Sequence, residues 1–160
     1  MAVQYLLKHG RGTVAGPPDM SPGLDRLRGY RITMAEAGLS DSGLIVFSDF
    51  GRVSAEHAVY RLLDRRRGLD AVFVASDLMA AGALRALRRS GRRVPDGVAV
   101  IGFADSPLPR HTDPKLTTVR QPVEAMGERC ASVLLALIGR GGQDPVHVVL
   151  DTELLIRESA

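Results

Sequence analysis

Polar or aromatic side chains follow several apolar runs of this 160-residue chain, at the points where those runs end. They are Phe50, Ser76, Asp77 and Asp105. The phenyl ring could stack on a sugar or a base, and the hydroxyl and carboxylate groups could hydrogen-bond a polar ligand. Arg26 lies on the polar side of a helical pattern that follows a Pro-rich loop. From there its side chain could reach over the ends of the apolar runs. These residue types indicate binding of a small polar molecule.

Most of these side chains also have a purely structural interpretation. Ser76 and Asp77 stand where a helix begins and could cap it. Asp105 could likewise cap its loop, and Arg26 could be a solvated surface arginine. A cap and a ligand contact are compatible, because the Ser76 side chain could face a cleft while Asp77 holds the turn. Phe50 is more informative, since a large ring between Asp49 and Gly51 has no periodic reason to be buried.

Catalytic signatures do not accompany these residues. The sequence contains no G-x-G-x-x-G, no G-x-x-x-x-G-K-[ST] and no G-x-S-x-G, which removes the local support for dinucleotide, P-loop and nucleophile-elbow sites. The four histidines are widely separated, and the single cysteine, Cys130, lies on an apolar helical stripe where packing explains it. We therefore expect no enzyme activity, no metal site and no cofactor.

Alternating apolar runs and helical patterns must position the candidate side chains. The predicted strands are Arg11–Ala15, Leu44–Phe47, Ala71–Ala75, Gly97–Phe103 and Leu116–Val119, with closing extended segments at Val146–Leu150 and Glu153–Ile156. The predicted helices lie at Ala2–Lys8, Leu24–Met34 and Ala55–Leu63, after Asp77, and over Met126–Ile138. We expect the last of these helices to end at residues 139–142. Gly16–Gly23 and residues 104–115 are predicted loops. This alternation predicts an α/β fold with a doubly wound parallel sheet and right-handed crossovers. The loops after the first four strands then share one edge of the sheet, where open α/β sheets bind ligands.

The composition limits the classes of protein to which this chain can belong. With 160 residues and 45% hydrophobic content, the chain can bury one core and form one domain. Aromatic residues make up only 4%, which argues against a stacking surface for single-stranded nucleic acid, and the net charge of +3 is only weak evidence for a polyanionic partner. We find neither an apolar stretch of about eighteen residues nor a secretion signal. We expect a soluble, cytoplasmic protein without a membrane partner.

Four motifs, in this order, carry a resemblance to a known family. They are Ala15-Gly16-Pro17 with Arg26 and Gly29-Tyr30, the block Asp70–Arg93, the strand region Val94–Phe103, and the segment Asp113–Pro122. The chain resembles the lactose-repressor (LacI/GalR) family of transcription regulators, whose effector-binding core has a periplasmic-binding-protein-like fold of type I. The resemblance implies a dimeric sensor that binds a sugar or nucleoside-like effector between two lobes and thereby changes the affinity of the regulator for DNA.

The resemblance also assigns roles to individual residues. Arg26 matches the arginine that grips ligand hydroxyls or a carboxylate, Phe50 an aromatic that packs on the ligand, and Ser76 a polar ligand contact. Val123 matches an apolar pocket wall. The predicted ligand-binding residues are therefore Arg26, Phe50, Ser76, Asp77, Asp105 and Val123.

The chain departs from the family pattern in composition and in extent. Ala104 replaces the first carboxylate of the usual Gly-Phe-Asp-Asp, which weakens the case for ordinary recognition of sugar hydroxyls. The resemblance begins partway into the family's chain, so residues 1–160 correspond to a partial effector-binding domain, mainly the second lobe. DNA binding is expected only through a head that these residues do not include. The stripe Met126–Leu137 would then be exposed, from which we expect a homodimer.

Two other functions remain open at this stage. A solute-binding protein for sugar transport shares the fold, and a small α/β enzyme could use a site without a recognisable motif. Sequence upstream of Met1 would separate a regulator from a transport protein, because a helix-turn-helix and an export signal are different patterns.

Overall fold

Strands and helices alternate through the computed structural model, which describes residues 1–7, 12–139 and 147–160. The helices are α1 (Ala2–Leu6), α2 (Ser21–Glu36), α3 (Arg52–Arg65), α4 (Asp77–Arg89) and α5 (Val123–Gly139). The strands are β1 (Gly12–Ala15), β2 (Ile45–Phe47), β3 (Ala71–Val74), β4 (Ala99–Ala104), β5 (Thr117–Arg120) and β6 (Glu153–Leu155). They form one sheet in the order β2-β1-β3-β4-β5-β6, in which all neighbours are parallel except the β5–β6 pair. The predicted α/β fold with a doubly wound, mainly parallel sheet is confirmed.

The sheet has a hydrophobic core on each face. In β3, Val72 and Val74 belong to the cluster that packs under α3 and α4, while Ala71 and Phe73 belong to the cluster with α1 and α2. All four residues of β3 are buried. Burial on both faces explains why this strand is a continuous apolar run rather than an alternating one.

Several predicted boundaries differ from those of the structure. Helix α2 begins at Ser21, inside the predicted loop, because Pro22 falls in the first turn, where helices do not need its missing N–H. Leu24 is consequently 46% exposed, and Leu27, Tyr30 and Met34 form the buried face. The predicted loop 104–115 contains a short 3-10 helix, Leu108–Arg110.

The last strand also differs from the prediction. Within residues 147–150 the structure has no strand, and β6 pairs antiparallel to β5, so the sheet is not wholly parallel. The parts of the predicted elements at Lys8, Arg11, 140–142 and Val146 lie outside the described residues.

Helix α5 has few contacts with the other described elements. None of the main element-to-element contacts in the described chain includes it. Its side chains include exposed Met126, Leu134, Leu135 and Ile138, and Cys130 is exposed too. The prediction of an exposed apolar stripe on this helix is confirmed, although Val133 and Leu137 are partly covered. Among the described helices, none has both the length and the hydropathy that crossing a membrane requires.

Candidate functional site

The candidate site lies at the carboxyl edge of the sheet, next to the point where the strand order reverses. From β1 the chain continues outward to β2, and from β3 it continues to β4 and β5 on the opposite side. The carboxyl ends of β1 and β3 therefore flank a crevice, since the helices that follow them pack on opposite faces of the sheet. Parallel α/β sheets bind ligands in such crevices.

Arg26 reaches this crevice from α2. Its Nη1 atom donates a hydrogen bond of 2.8 Å to the carbonyl oxygen of Ala75, at the end of β3. The guanidinium carbon lies 4.0 Å from the centre of the Phe103 ring, a cation–π contact that fixes the orientation of the group. Phe103 in turn meets Phe73 edge to face, with 6.5 Å between ring centres. Burial lowers the pKa of Arg26, and the charges of Asp77 and Asp25 act in the opposite direction; the group stays protonated.

Phe50 closes the crevice beside β1. Its backbone has a φ of +66°, and its ring packs on Gly16 so closely that a Cβ at that glycine would lie 2.4 Å from the ring. The ring is half-buried against the α3–α4 core, with part of it open at the site. Its neighbour Asp49 accepts hydrogen bonds from the Gly51 N–H, at 2.7 Å, and from the Ser54 hydroxyl. These hydrogen bonds lower the pKa of the exposed Asp49 carboxyl.

Ser76 and Asp77 begin α4. The Ser76 hydroxyl accepts a hydrogen bond of 3.2 Å from the Met79 N–H, so it caps the helix while its own O–H remains available as a donor. Asp77 is only 2% exposed and contacts other parts of the chain rather than the crevice. Its carboxylate accepts from the Thr118 hydroxyl at 2.5 Å and from the Ser106 N–H at 2.9 Å, which ties α4 to β5 and to the loop after β4.

Asp105 is held by two arginines. Arg157 donates to it at 2.6 Å and Arg120 at 2.9 Å, and the side chain of Asp105 is 3% exposed. Burial would raise the pKa of this carboxyl, but the hydrogen bonds and charges of Arg157 and Arg120 outweigh burial and lower it. Arg120 also contacts Glu153 at 3.3 Å, so the network joins the β4 loop to β5 and β6.

Val123 is the first residue of α5 and is 64% exposed. Two residues before it, Gln121 lines a cavity of about 550 Å³ together with Arg26, Tyr30, Phe103 and Thr152. The cavity is of the size that small-molecule sites occupy. Of the six predicted ligand-binding residues, Arg26 lines this cavity, whereas Phe50, Ser76, Asp77, Asp105 and Val123 do not. Asp77 and Asp105 are bound to neighbouring parts of the chain.

The loops at this edge contain strained backbone. Phe50, Ala104 and Asp105, with φ values of +66°, +122° and +55°, are the non-glycine residues of the described chain with positive φ. Each such residue costs on the order of 1–3 kcal/mol, and such strain concentrates at ligand sites. The ion pairs of Asp105 and the contact of Phe50 with Gly16 hold these conformations in place.

The sequence does not reveal which side chains hold Arg26, Asp77 and Asp105 in position. Phe103, Thr118, Arg120 and Arg157 come from distant positions in the chain, and no local pattern indicates that they meet Arg26, Asp77 or Asp105. The sequence predicts Phe103 only as the last residue of a strand. Within residues 1–7, 12–139 and 147–160, no group of three or more His, Cys, Asp or Glu side chains is arranged to hold a metal ion.

Known proteins match this chain both in sequence and in structure. The family model for a periplasmic binding protein-like domain matches residues 3–160. The HTH-type transcriptional regulator CelR of Thermobifida fusca is 46% identical over 162 residues, which cover 99% of this chain and 48% of that protein. The ribose operon repressor of Halalkalibacterium halodurans is 31% identical with the same coverage. The solved complex of the transcriptional regulator CelR with cellobiose matches with a TM-score of 0.94 at 46% identity, covering 99% of this chain and 50% of that one. The chain thus spans about half the length of these relatives.

Proposed function

Because this chain belongs to the periplasmic binding protein-like domain family, in the form found in lactose-repressor-type (LacI/GalR) transcription regulators, we propose that it senses a sugar effector. Residues 1–160 would form part of the effector-binding core, mainly its second lobe. The observation that carries the proposal is the Arg26 guanidinium, fixed at the reversal point of the sheet with hydrogen-bond donors to spare.

The side chains at the edge divide into two groups with different roles. Arg26 would donate hydrogen bonds to the effector, the Ser76 hydroxyl would donate another, and the Phe50 ring would pack against a sugar face. Val123 would add an apolar wall. Asp77 and Asp105 have their carboxylate oxygens occupied, so they would position the loop after β4 rather than contact the effector.

Regulation of DNA binding is proposed on the pattern of the full-length relatives, about half of whose length this chain spans. The relatives are transcriptional regulators, which supports this role over sugar transport or an enzyme activity, and supports a cytoplasmic location. DNA would be bound by a separate head of the regulator. The exposed apolar side chains of α5 favour a homodimer, and a monomeric mass by light scattering would contradict it.

A thermal-shift screen tests effector binding directly. The purified chain is screened against neutral sugars, starting with cellobiose, and against sugar acids and nucleosides. An effector at about 100 times its Kd stabilises the folded state by about 2.7 kcal/mol, which raises the melting temperature by several degrees. We expect Arg26→Ala to abolish the shift and Arg28→Ala, at an exposed position of the same helix, to retain it. A shift that survives Arg26→Ala would place the ligand elsewhere.

A further inference from the structure

A second cavity lies at the amino edge of the sheet, opposite the candidate site. It has a volume of about 840 Å³, and it is lined by the α2–β2 loop and by the end of α3 with the loop that follows, including Arg65, Arg66 and Arg67. Successive residues of a helix point about 100° apart, so three consecutive arginines would normally diverge. Here the backbone leaves the helical conformation at Arg66, with φ −138° and ψ 84°. All three arginines border the same cavity, which we call the amino-edge cavity.

Helix termination accounts for only one of these arginines. Positive charge is favourable in the last turn of a helix, where the dipole is negative, and Arg65 occupies that turn. Arg66 and Arg67 follow the helix. The Arg66 guanidinium donates to the Ser42 carbonyl oxygen in the α2–β2 loop, at 2.5 Å, and not to the last carbonyl groups of α3. Among the described residues, none of the three arginines has an ion-pair partner.

The charged groups around the amino-edge cavity leave an excess of positive charge. Arg92 donates to the Arg67 carbonyl oxygen at 2.6 Å and so brings a fourth guanidinium beside the three. The carboxylates of Asp64 and Asp70 line the cavity, and both residues are exposed. The four arginines and two aspartates together carry a net charge of +2. A phosphate monoester carries a charge of about −1.5 to −2 at neutral pH, which matches this excess better than the single charge of a carboxylate.

The amino-edge cavity also holds groups that suit hydroxyls. Within the part of the chain that the structure describes, the carboxylates of Asp64 and Asp70 form neither a hydrogen bond nor an ion pair, so their oxygens are free to accept. The Ser40 hydroxyl accepts from the Ser42 N–H at 3.2 Å and keeps its own O–H as a donor. A sugar hydroxyl donates as well as accepts, so it needs both kinds of group.

We propose that the amino-edge cavity binds a sugar phosphate, with Arg66 and Arg67 on the phosphate and Asp64 and Asp70 on the sugar hydroxyls. This site is separate from the effector crevice, which the carboxyl ends of the strands form, and it does not depend on the proposed function. Arginine forks bind two phosphate oxygens at once, through charge-assisted hydrogen bonds about twice as strong as neutral ones. The contact with Ser42 already orients Arg66, so binding has less side-chain freedom to remove.

Titration calorimetry on the 160-residue chain tests the proposal with glucose 6-phosphate, ribose 5-phosphate, glucose and inorganic phosphate. We expect at least one sugar phosphate to bind about tenfold or more tighter than glucose and inorganic phosphate, with an affinity that decreases as salt is added. The double variant Arg66→Gln/Arg67→Gln should weaken this binding by about tenfold or more. The control Arg28→Gln/Arg129→Gln removes the same net charge at exposed positions and should bind like the unaltered chain.

Two single variants separate the amino-edge cavity from the effector crevice and the sugar from its phosphate. Arg26→Gln should leave the affinity for the sugar phosphate unchanged. Asp70→Asn should weaken binding of the sugar phosphate but not of inorganic phosphate, because it removes an acceptor for hydroxyls and a negative charge. Circular dichroism and melting curves establish that each variant is folded.

Three results would overturn the proposal. One is that neither sugar phosphate binds the folded chain. The second is that binding is lost in Arg26→Gln and retained in Arg66→Gln/Arg67→Gln, which would place the ligand in the effector crevice. The third is an equal loss in the Arg28→Gln/Arg129→Gln control, which would reduce the effect to net charge. Each of these results leaves the proposed function standing, since none of them tests the neutral sugar at the carboxyl edge.

Discussion

At the scale of single residues, Asp77 shows how a charged side chain can be buried without an ion pair. One carboxylate oxygen accepts from the Thr118 hydroxyl at 2.5 Å, and the other accepts from the Ser106 N–H at 2.9 Å. The carboxylate also stands in the first turn of α4, where the helix dipole favours a negative charge. Its removal would leave a buried hydroxyl and the loop N–H without their acceptor.

We expect Asp77→Ala to lower the free energy of unfolding by about 2–4 kcal/mol, since unpaired buried polar groups cost about 1–3 kcal/mol each. Urea denaturation measures the change. Asp64→Ala removes a carboxylate that is exposed and forms no hydrogen bond or ion pair in the described chain, and it should change stability by less than about 0.5 kcal/mol. Equal effects of the two substitutions would show that the contacts of Asp77 contribute nothing specific.

Residue roles could be predicted from the sequence where they depend on near neighbours. Ser76 precedes a helical pattern and its capping hydrogen bond to the Met79 N–H is present. The sequence does not decide between a ligand contact and a loop cap for Asp105, because its partners Arg120 and Arg157 are 15 and 52 residues away. The ligand roles of Arg26, Phe50, Ser76 and Val123 remain predictions.

At the scale of elements, α3 and α4 are held together by a close backbone contact and by ion pairs between a buried glutamate and two exposed arginines. Gly82 of α4 faces the backbone of α3, where a Cβ would lie 2.1 Å from the Arg52 carbonyl oxygen. Glu56 of α3 is 6% exposed and contacts Arg89 at 3.0 Å and Arg85 at 3.5 Å. The two helices can therefore approach closely only while position 82 has no side chain.

Two glycine substitutions should have opposite effects on stability. An alanine in place of glycine inside a helix normally stabilises it by about 0.5–1 kcal/mol. Gly29→Ala in α2 should show this gain, because an added Cβ meets nothing within 4 Å. Gly82→Ala should instead destabilise by on the order of 1–3 kcal/mol, because α3 must move away. Thermal and urea unfolding measure both, and a stabilising Gly82→Ala would show that the helices can separate freely.

Elements could be predicted where hydrophobic pattern alone determines them. The continuous apolar runs of β3 and β4 and the spacing of Ala55, Ala58, Val59 and Leu62 are determined by burial, and the structure buries these four α3 residues completely. The antiparallel direction of β6 could not be predicted in this way, because it depends on how the chain returns after α5. The predicted start of α2, Leu24, is too late, because a proline excludes a helix in general but not in the first turn, where Pro22 lies.

At the scale of the whole molecule, charged groups link the C-terminal segment to the sheet. Arg157 joins Asp105 to the Leu116 carbonyl oxygen, and Lys115 pairs with Glu158 at 2.9 Å. Ser159 is completely buried, accepts from the Thr117 N–H at 2.8 Å and donates to the Val100 carbonyl at 2.6 Å. The last residues of the chain thereby bridge β4 and β5, and the stability of the molecule depends on these ionised groups.

Acidification should weaken this linkage. Hydrogen bonds from Lys115 lower the pKa of Glu158, and the paired arginines outweigh burial to lower that of Asp105. A carboxyl whose pKa is lower in the folded state contributes its full stabilisation above its pKa in the unfolded chain, and loses it as the pH falls through the folded value. We therefore expect the free energy of unfolding to decrease below about pH 4.

The stability difference between the unaltered chain and Asp105→Asn should shrink over the same range, whereas the difference between the unaltered chain and Asp64→Asn should stay near zero. Urea midpoints measured at about pH 7 and about pH 3 give both differences, and a constant difference for Asp105→Asn would mean that its charge does not stabilise the fold.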